Sequence, residues 1–333
     1  MVEDFDVAPT VASTTIVVYG LVVAALVMLG AKLGQRIGWL LIFRIVVGVF
    51  ACSAILMIVS PAVGWAIAGQ ALAGAAAAII VPSLVALIAA NYHGDQQATA
   101  IGSLGSARAV SGVSAFFLGG ALGTLVGWRP VFGIVLALAV LILIFSFTLT
   151  SVPGDPDITI DVFAAILIGI GIMSLTLGFN NLNNWGAFYA DPAAPFDIAG
   201  VSPAPMLIVA GVVLVQAFFM WTRRRMAAGK VPLVDLSVLR SSRERSAVYA
   251  MFIVVAMEAA LNFTVPLYVQ IVQGRTPFDT ALAMMPFNLT VFITATLVVR
   301  VYKRYTPRAI GVFSFVLTTA ALIWLAYAVS NNW

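Results

Sequence analysis

The sequence predicts an all-α polytopic membrane protein, and two observations carry that reading. The first is a series of long stretches with no Asp, Glu, Lys or Arg. One fills the whole interval between Arg44 and Asp95, and others cover Ala109–Trp128, Pro130–Gly154, Val162–Ala190, Ile198–Thr222, Thr280–Val299 and Ala309–Trp333. A helix needs ~20 apolar residues to cross the ~30 Å hydrocarbon core, and runs of this length suit lipid rather than a soluble core. The second is that the charges which do occur cluster between those runs.

Composition agrees and removes several function classes. The chain is 62% hydrophobic and 9% charged, against roughly a quarter charged in a soluble domain. Its single cysteine, Cys52, lies inside an apolar run, so there is no disulfide framework. The only histidine, His93, is 41 positions from that cysteine, which leaves metal chemistry poorly supplied and no cofactor implied. The start, Met1–Ser13, carries Glu3, Asp4 and Asp6 without a cation. That is the wrong first region for a cleaved signal peptide.

Ten spans follow, each bounded by a charge cluster or a turn signal. The first, 15–31, ends at the basic loop 32–38. The uncharged stretch 45–94 must be split, and Pro61-Ala-Val-Gly64 is the turn, giving spans 39–60 and 64–90. Then come 99–126, which carries Arg108, and 131–151. Spans 162–182 and 205–222 flank an outer segment, 183–204, holding Trp185, Tyr189, Asp191 and Asp197. The last three are 246–270, 279–299 and 309–329.

Cation placement sets the orientation. Loops at 32–38, 223–245 and 300–308 hold thirteen Lys and Arg, while the opposite set holds Arg129 and Arg275 alone. The positive-inside rule puts the three basic loops in the cytoplasm and 183–204 outside, where Trp and Tyr suit the interfacial belt. The predicted organisation is an external segment 1–14, five spans in 15–151, two inserted spans in 162–222, a basic linker 223–245 and three spans in 246–333.

A spacing repeats. Pro9 precedes Arg36 by 27 residues and Pro277 precedes Arg304 by 27, each pair bracketing a helix that runs to a tight basic loop. Repeated helical halves are a mark of secondary transporters, whose substrate sites lie near the midplane.

Specific segments carry a family resemblance. Ala31-Lys-Leu-Gly-Gln-Arg-Ile-Gly38 resembles the G-x-L-x-D-R-x-G-R-R loop of the major facilitator superfamily, with Gln35 at the acid position and Ala31 at the first glycine. Ile67-Ala-Gly-Gln-Ala71 resembles its R-x-x-Q-G motif, keeping Gln70 alone. Ser111-Gly-Val-Ser-Ala-Phe-Phe-Leu-Gly-Gly120 is similar to the antiporter motif g-x-x-x-G-P-x-x-G-G, with the closing Gly119 and Gly120 kept and Phe116 at the proline. Gly127-Trp-Arg-Pro-Val-Phe132 and Val265-Pro-Leu-Tyr-Val-Gln270 resemble segments of the fourteen-span drug:proton antiporters. Two spans intervene between six-span halves in that subfamily, followed by a basic linker like the one holding Pro232-Leu-Val-Asp-Leu236.

The resemblance implies a major facilitator-type helical bundle of about ten transmembrane helices, incomplete relative to the family and truncated at both ends. It aligns the start just after the family's first span, which usually carries an acid, and the end before its last three. A fragment is the expected reading and a shortened relative the other. The resemblance also marks Lys32, Gln35, Arg36 and Gly38 as gating-loop candidates and implies a bacterial inner membrane.

Ionisable groups at membrane depth cost roughly 2.5–3.5 kcal/mol and are functional candidates by default. Arg44 lies about 7.5 Å into its span and can snorkel out. Arg108 lies about 14 Å and Glu258 about 18 Å in. Glu258 has Asn262 one turn later and Pro266 one turn beyond, a polar stripe that suits a cavity wall. Glu258 is therefore the proton-coupling candidate, and Arg108 and Asn262 are substrate-binding candidates. A Glu258–Arg108 ion pair that only fixes packing is the competing reading.

Softer substrate-binding candidates are Tyr19, Gln70 and Asn288; Gln270 joins them as a polar group at a span end, and such groups usually bond neighbouring helices. Ser111, Ala115, Gly119 and Gly123 repeat at i+4 and, with Gly120, are expected at a helix contact. His93 and Asp95 read as solvated loop residues, and Met284, Met285 and Phe287 as a soft apolar wall.

These features predict a proton-coupled secondary transporter exporting hydrophobic or amphiphilic small molecules by alternating access, with the bilayer, protons and substrate as its partners. An uptake carrier for organic anions is the alternative, because Arg108 suits a carboxylate. A non-transporting fragment is a third reading. No G-x-x-x-x-G-K-[ST] loop supplies ATP, and the apolar stretches hold too few converging ionisable groups for an enzyme.

Overall fold

The computed structural model describes residues 2–7, 9–150, 153–239, 241–302 and 304–330. Ten long helices account for most of them: α1 (Pro9–Ile37), α2 (Trp39–Val59), α3 (Val63–Asn91), α4 (Asp95–Phe117), α5 (Trp128–Ser146), α6 (Val162–Asn180), α7 (Pro203–Ala227), α8 (Ser242–Leu267), α9 (Pro277–Tyr302) and α10 (Pro307–Ser330). Among the described residues there is no strand, only two isolated bridges, Tyr189–Val201 and Ile198–Val201, inside the segment 183–204. The protein is all-α and crosses the membrane many times.

Nine of the ten helices are long and apolar enough to cross a bilayer among the described residues. The expected span 99–126 is not one of the nine. It is built from α4, a π-helical turn at Leu118–Leu122 and a short helix at Gly123–Val126. Its α4 part carries Asp95, two glutamines, Arg108 and four serines.

The basic loops turn out to be mostly helix. Lys32–Ile37 complete α1, Arg223–Arg225 complete α7, and Arg300 lies within α9. Lys and Arg are good helix formers, so a helix continues past the apolar region into water until something stops it. Gly38 stops α1. It is the single residue between α1 and α2, with φ 102° and its N–H donating to the Gly34 carbonyl at 3.0 Å. A side chain there would be strained. The end of α7 is stopped by Gly229, at φ 68°.

Two compact units are distinguished: Met1–Ala90 with Ala121–Thr264, and Asn91–Gly120 with Val265–Trp333. In the first, α6 and α7 make the most extensive contact, α2 packs on α5, and α1 packs on α6. The core between α6 and α7 gathers Ala164, Ala165, Ile168, Phe218 and Leu233, with Met28 and Leu29 of α1 against it. A second core joins Leu40, Phe43 and Val47 of α2 to Leu87 of α3. In the second unit, α4 packs along α9.

Helix pairs in lipid are held by close packing, because tails as apolar as leucine offer no hydrophobic drive. At the α6–α7 seam, a Cβ on Gly211 would lie 2.6 Å from Leu175 Cγ and 2.8 Å from the Gly171 carbonyl oxygen. The backbones meet there, and one methyl has no room. Gly211→Ala is therefore expected to cost about 1–3 kcal/mol, the range for overpacking, read as a lowered unfolding midpoint in detergent. Gly48→Ala in α2, where nothing lies within 4 Å, is expected to be neutral or slightly stabilising. Equal effects from the two would overturn the seam assignment.

Candidate functional site

Glu258 sits in α8 and is half-buried. One turn later the Asn262 Nδ2 donates to the Glu258 backbone carbonyl at 2.9 Å, which uses one of the amide's donors within its own helix. Pro266 lies inside α8 and has no N–H to give the Asn262 carbonyl, so the usual i→i+4 bond cannot form there. A π-helical turn, Tyr268–Val272, follows at once. It includes Gln270. Such turns inside helices are frequent at functional sites. The stripe read from the sequence is thus the Glu258 carboxylate, the Asn262 amide and Pro266 at one-turn intervals.

Arg108 is exposed on α4 and belongs to the other unit. Within that unit, α4 meets α9 through glycine. A Cβ on Gly112 would lie 2.9 Å from Asn288 Oδ1, and one on Gly105 would lie 3.8 Å from the Ala295 Cβ. Asn288 is buried, and its Nδ2 donates to the Met284 carbonyl at 3.1 Å. The seam against α9 therefore runs through Gly105 and Gly112. Of the i+4 ladder expected at a helix contact, Ser111, Ala115 and Gly119 are exposed, and a Cβ on Gly119 or Gly123 would meet nothing within 4 Å. Gly120 lies in the π turn. Gly105 and Gly112 are seven residues apart, and two helical turns return to one side, so both lie on the packed face.

Tyr19 lies where α3 approaches α1. A Cβ on Gly74, one turn beyond Gln70, would lie 2.6 Å from the Tyr19 carbonyl oxygen. Tyr19 is exposed on α1 and Gln70 half-buried on α3.

At the α1–α2 turn, Lys32 is half-buried, Gln35 and Arg36 are exposed, and Gly38 is buried. The Asp155 N–H donates to the Gln35 carbonyl at 3.0 Å, so the acidic segment after α5 is pinned to this turn. Arg44 is anchored nearby. Its Nη2 donates to the Ser146 carbonyl at 2.8 Å and its guanidinium lies 4.7 Å from the Phe147 ring centroid. A cation at the last carbonyls of α5 complements the helix dipole and accounts for Arg44 without a transport role.

Two polar clusters were not singled out from the sequence. Asp161 is 4% exposed. Its Oδ1 accepts from the Ala164 N–H at 3.1 Å, capping α6, while Oδ2 accepts from Trp221 Nε1 at 3.0 Å. The Arg225 Nε is 3.0 Å from the same Oδ2, and its N–H finds no directed hydrogen bond, so that contact is an ion pair. The second cluster tops α5: the Asp4 carboxylate accepts from Trp128 Nε1 at 2.7 Å and from Arg129 Nη1 at 2.9 Å. Arg129 also donates to the Ser60 carbonyl at 3.2 Å. Only tertiary structure could reveal either cluster, because the partners are 60 and 124–125 residues apart.

In the second unit a shallow cavity of about 270 Å³ is lined by Val269, Gln273, Arg275, Asp279, Leu282 and Ala283. Among the described residues no group of three or more His, Cys, Asp or Glu could hold a metal.

Curated relatives resemble the chain at low identity. The methylenomycin A resistance protein of Bacillus subtilis is 26% identical over 86% of this chain and 58% of its own length. The multidrug efflux pump LfrA of Mycolicibacterium smegmatis is 25% identical over 97% and 61%. The tetracenomycin C resistance and export protein of Streptomyces glaucescens is 24% identical over 91% and 54%. The chain therefore spans between 54% and 61% of the length of these relatives. Its many apolar helices and bacterial relatives make it a multi-pass protein of a bacterial cell membrane. The model of the Major Facilitator Superfamily matches residues 1–333 in full, so the chain belongs to that superfamily of transporters.

Proposed function

We propose that the chain works as a proton-coupled exporter of hydrophobic or amphiphilic small molecules by alternating access. The observation that carries this reading is Glu258, a carboxylate deep in a long apolar helix, two turns before Pro266. A carboxylate that alternates between a dry and a wet setting can bind a proton on one side and release it on the other. The substrate class is suggested by the relatives named for drug efflux and antibiotic export.

In this reading 15–151 and 246–333 contribute spans to the two halves, 162–222 is the inserted pair and 223–245 the cytoplasmic linker. The gating turn is Lys32–Gly38. Arg108, Tyr19, Gln70, Asn262 and Asn288 are the residues proposed to meet substrate. The reading is tested in vesicles with an imposed pH gradient, where the protein as its host expresses it should drive efflux of a lipophilic dye. Efflux that ignores the gradient would remove proton coupling.

Orientation has its own test. In a Cys52→Ser background, needed because Cys52 is exposed, Ser241→Cys should react with a membrane-impermeant thiol reagent only from the cytoplasm. Ala193→Cys should react only from outside. Both rest on the thirteen-to-two cation asymmetry, and exterior labelling at 241 would invert the topology.

A further inference from the structure

The end of α7 is a capped, hydrogen-bonded cationic turn. Gly229 at φ 68° lets the chain fold back, with the Lys230 N–H donating to the Arg225 carbonyl at 3.0 Å and the Gly229 N–H to the Met226 carbonyl at 3.1 Å. This is the Schellman closure of a helix C-terminus, and it seats Lys230 on the last turn of α7. Two residues beyond Val231, Leu233 is 4% exposed and packs in the core with Ala164, Ile168 and Phe218. The segment is thus plugged into the helix bundle on one side.

Arg225 is committed to that side as well, paired with Asp161 and donating to the Val231 carbonyl at 3.3 Å. Arg223, Arg224 and Lys230 are all exposed. Beside them, Trp221 stands edge-on to Phe163 with ring centroids 4.7 Å apart, the amphipathic ring type found at headgroup level. Between Arg223 and Arg245 the acids are Asp235 and Glu244, against seven cations.

We propose that Arg223, Arg224 and Lys230 form a binding site for the phosphate headgroup of an anionic phospholipid in the cytoplasmic leaflet. The cations stand at the membrane surface, where the negative potential of that leaflet attracts them. Two guanidinium groups suit phosphate oxygens. Their fixed backbone means that little ordering entropy is lost on binding. The buried Asp161 neutralises Arg225 internally, leaving the other three to face the lipid. The proposal does not depend on proton coupling or on the transported substrate.

The test is native mass spectrometry of the purified protein titrated with phosphatidylglycerol or phosphatidylcholine. The parent should hold phosphatidylglycerol more tightly. Arg223→Gln, Arg224→Gln and Lys230→Gln together should weaken it by on the order of 100-fold, about fivefold per cation. Arg304→Gln with Arg308→Gln, in another basic segment, should weaken it far less. If the triple variant does not fold, Arg224→Gln alone should show the fivefold loss. Glycerol 3-phosphate that displaces the lipid supports recognition of the phosphate itself; lack of displacement supports recognition of the lipid as a whole. Equal binding of the two lipids, unchanged binding by the triple variant, or tighter capture of a poly-glutamate peptide than of phosphatidylglycerol would overturn it.

Discussion

Glu258→Gln is expected to abolish pH-gradient-driven transport while leaving membrane insertion and substrate binding in place. Glutamine matches glutamate in size and still hydrogen-bonds, so the packing of α8 should survive. What it loses is the ability to exist in two charge states. A charged carboxylate at the bilayer centre costs roughly 2.5–3.5 kcal/mol on insertion scales, and a permanently neutral amide removes that charge altogether. Gradient-driven efflux in vesicles should fall to background, while substrate exchange without a gradient, and binding measured by fluorescence, should continue. Wild-type coupling in the variant would remove Glu258 from the mechanism. Loss of exchange and binding along with coupling would make it a structural residue instead.

Asp161→Ala should be the most destabilising single change in the α6–α7 pair. The carboxylate caps α6, accepts from Trp221 and neutralises Arg225, all while 4% exposed. Removing it leaves a partly buried guanidinium with no countercharge at that site, a defect worth about 3–5 kcal/mol when a buried pair is broken. Unfolding in mixed micelles should show this as a large drop in midpoint. Asp161→Asn keeps an oxygen for the Ala164 N–H and should lose less. The decisive comparison is the double variant with Arg225→Ala. Once the stranded charge is gone, the combined loss should be smaller than the sum of the two single losses. Simple additivity would mean that the contact is geometric proximity without coupling.

These two residues mark opposite limits of what could be read in the chain. Glu258 stands out in one dimension, because a carboxylate in the apolar part of a helix conflicts with its solvent and the conflict is visible without any fold. Asp161 gave no such signal. It lies at the edge of an uncharged run among Asp155 and Asp157, where an acid reads as solvated, and only the approach of α7 makes it a buried hub. The same contrast separates the two glycine patterns of α4. The i+4 ladder from Ser111 to Gly123 is regular in sequence, yet the face that meets α9 is the one with Gly105 and Gly112. Periodicity names the possible faces of a helix, and the neighbour decides which is used.

By itself the sequence determined that the chain is helical, that it lives in a membrane, roughly where each span lies and how the cations are distributed, because the bilayer imposes length and polarity on every spanning segment independently of the others. Tertiary structure alone decided that α6 and α7 meet at Gly211, and that Arg44, Asp161 and Arg225 are tied to partners distant in sequence. Those outcomes depend on which surfaces come within a few ångströms of one another. Van der Waals packing and hydrogen bonds are too short-ranged to leave a mark on either partner's sequence alone.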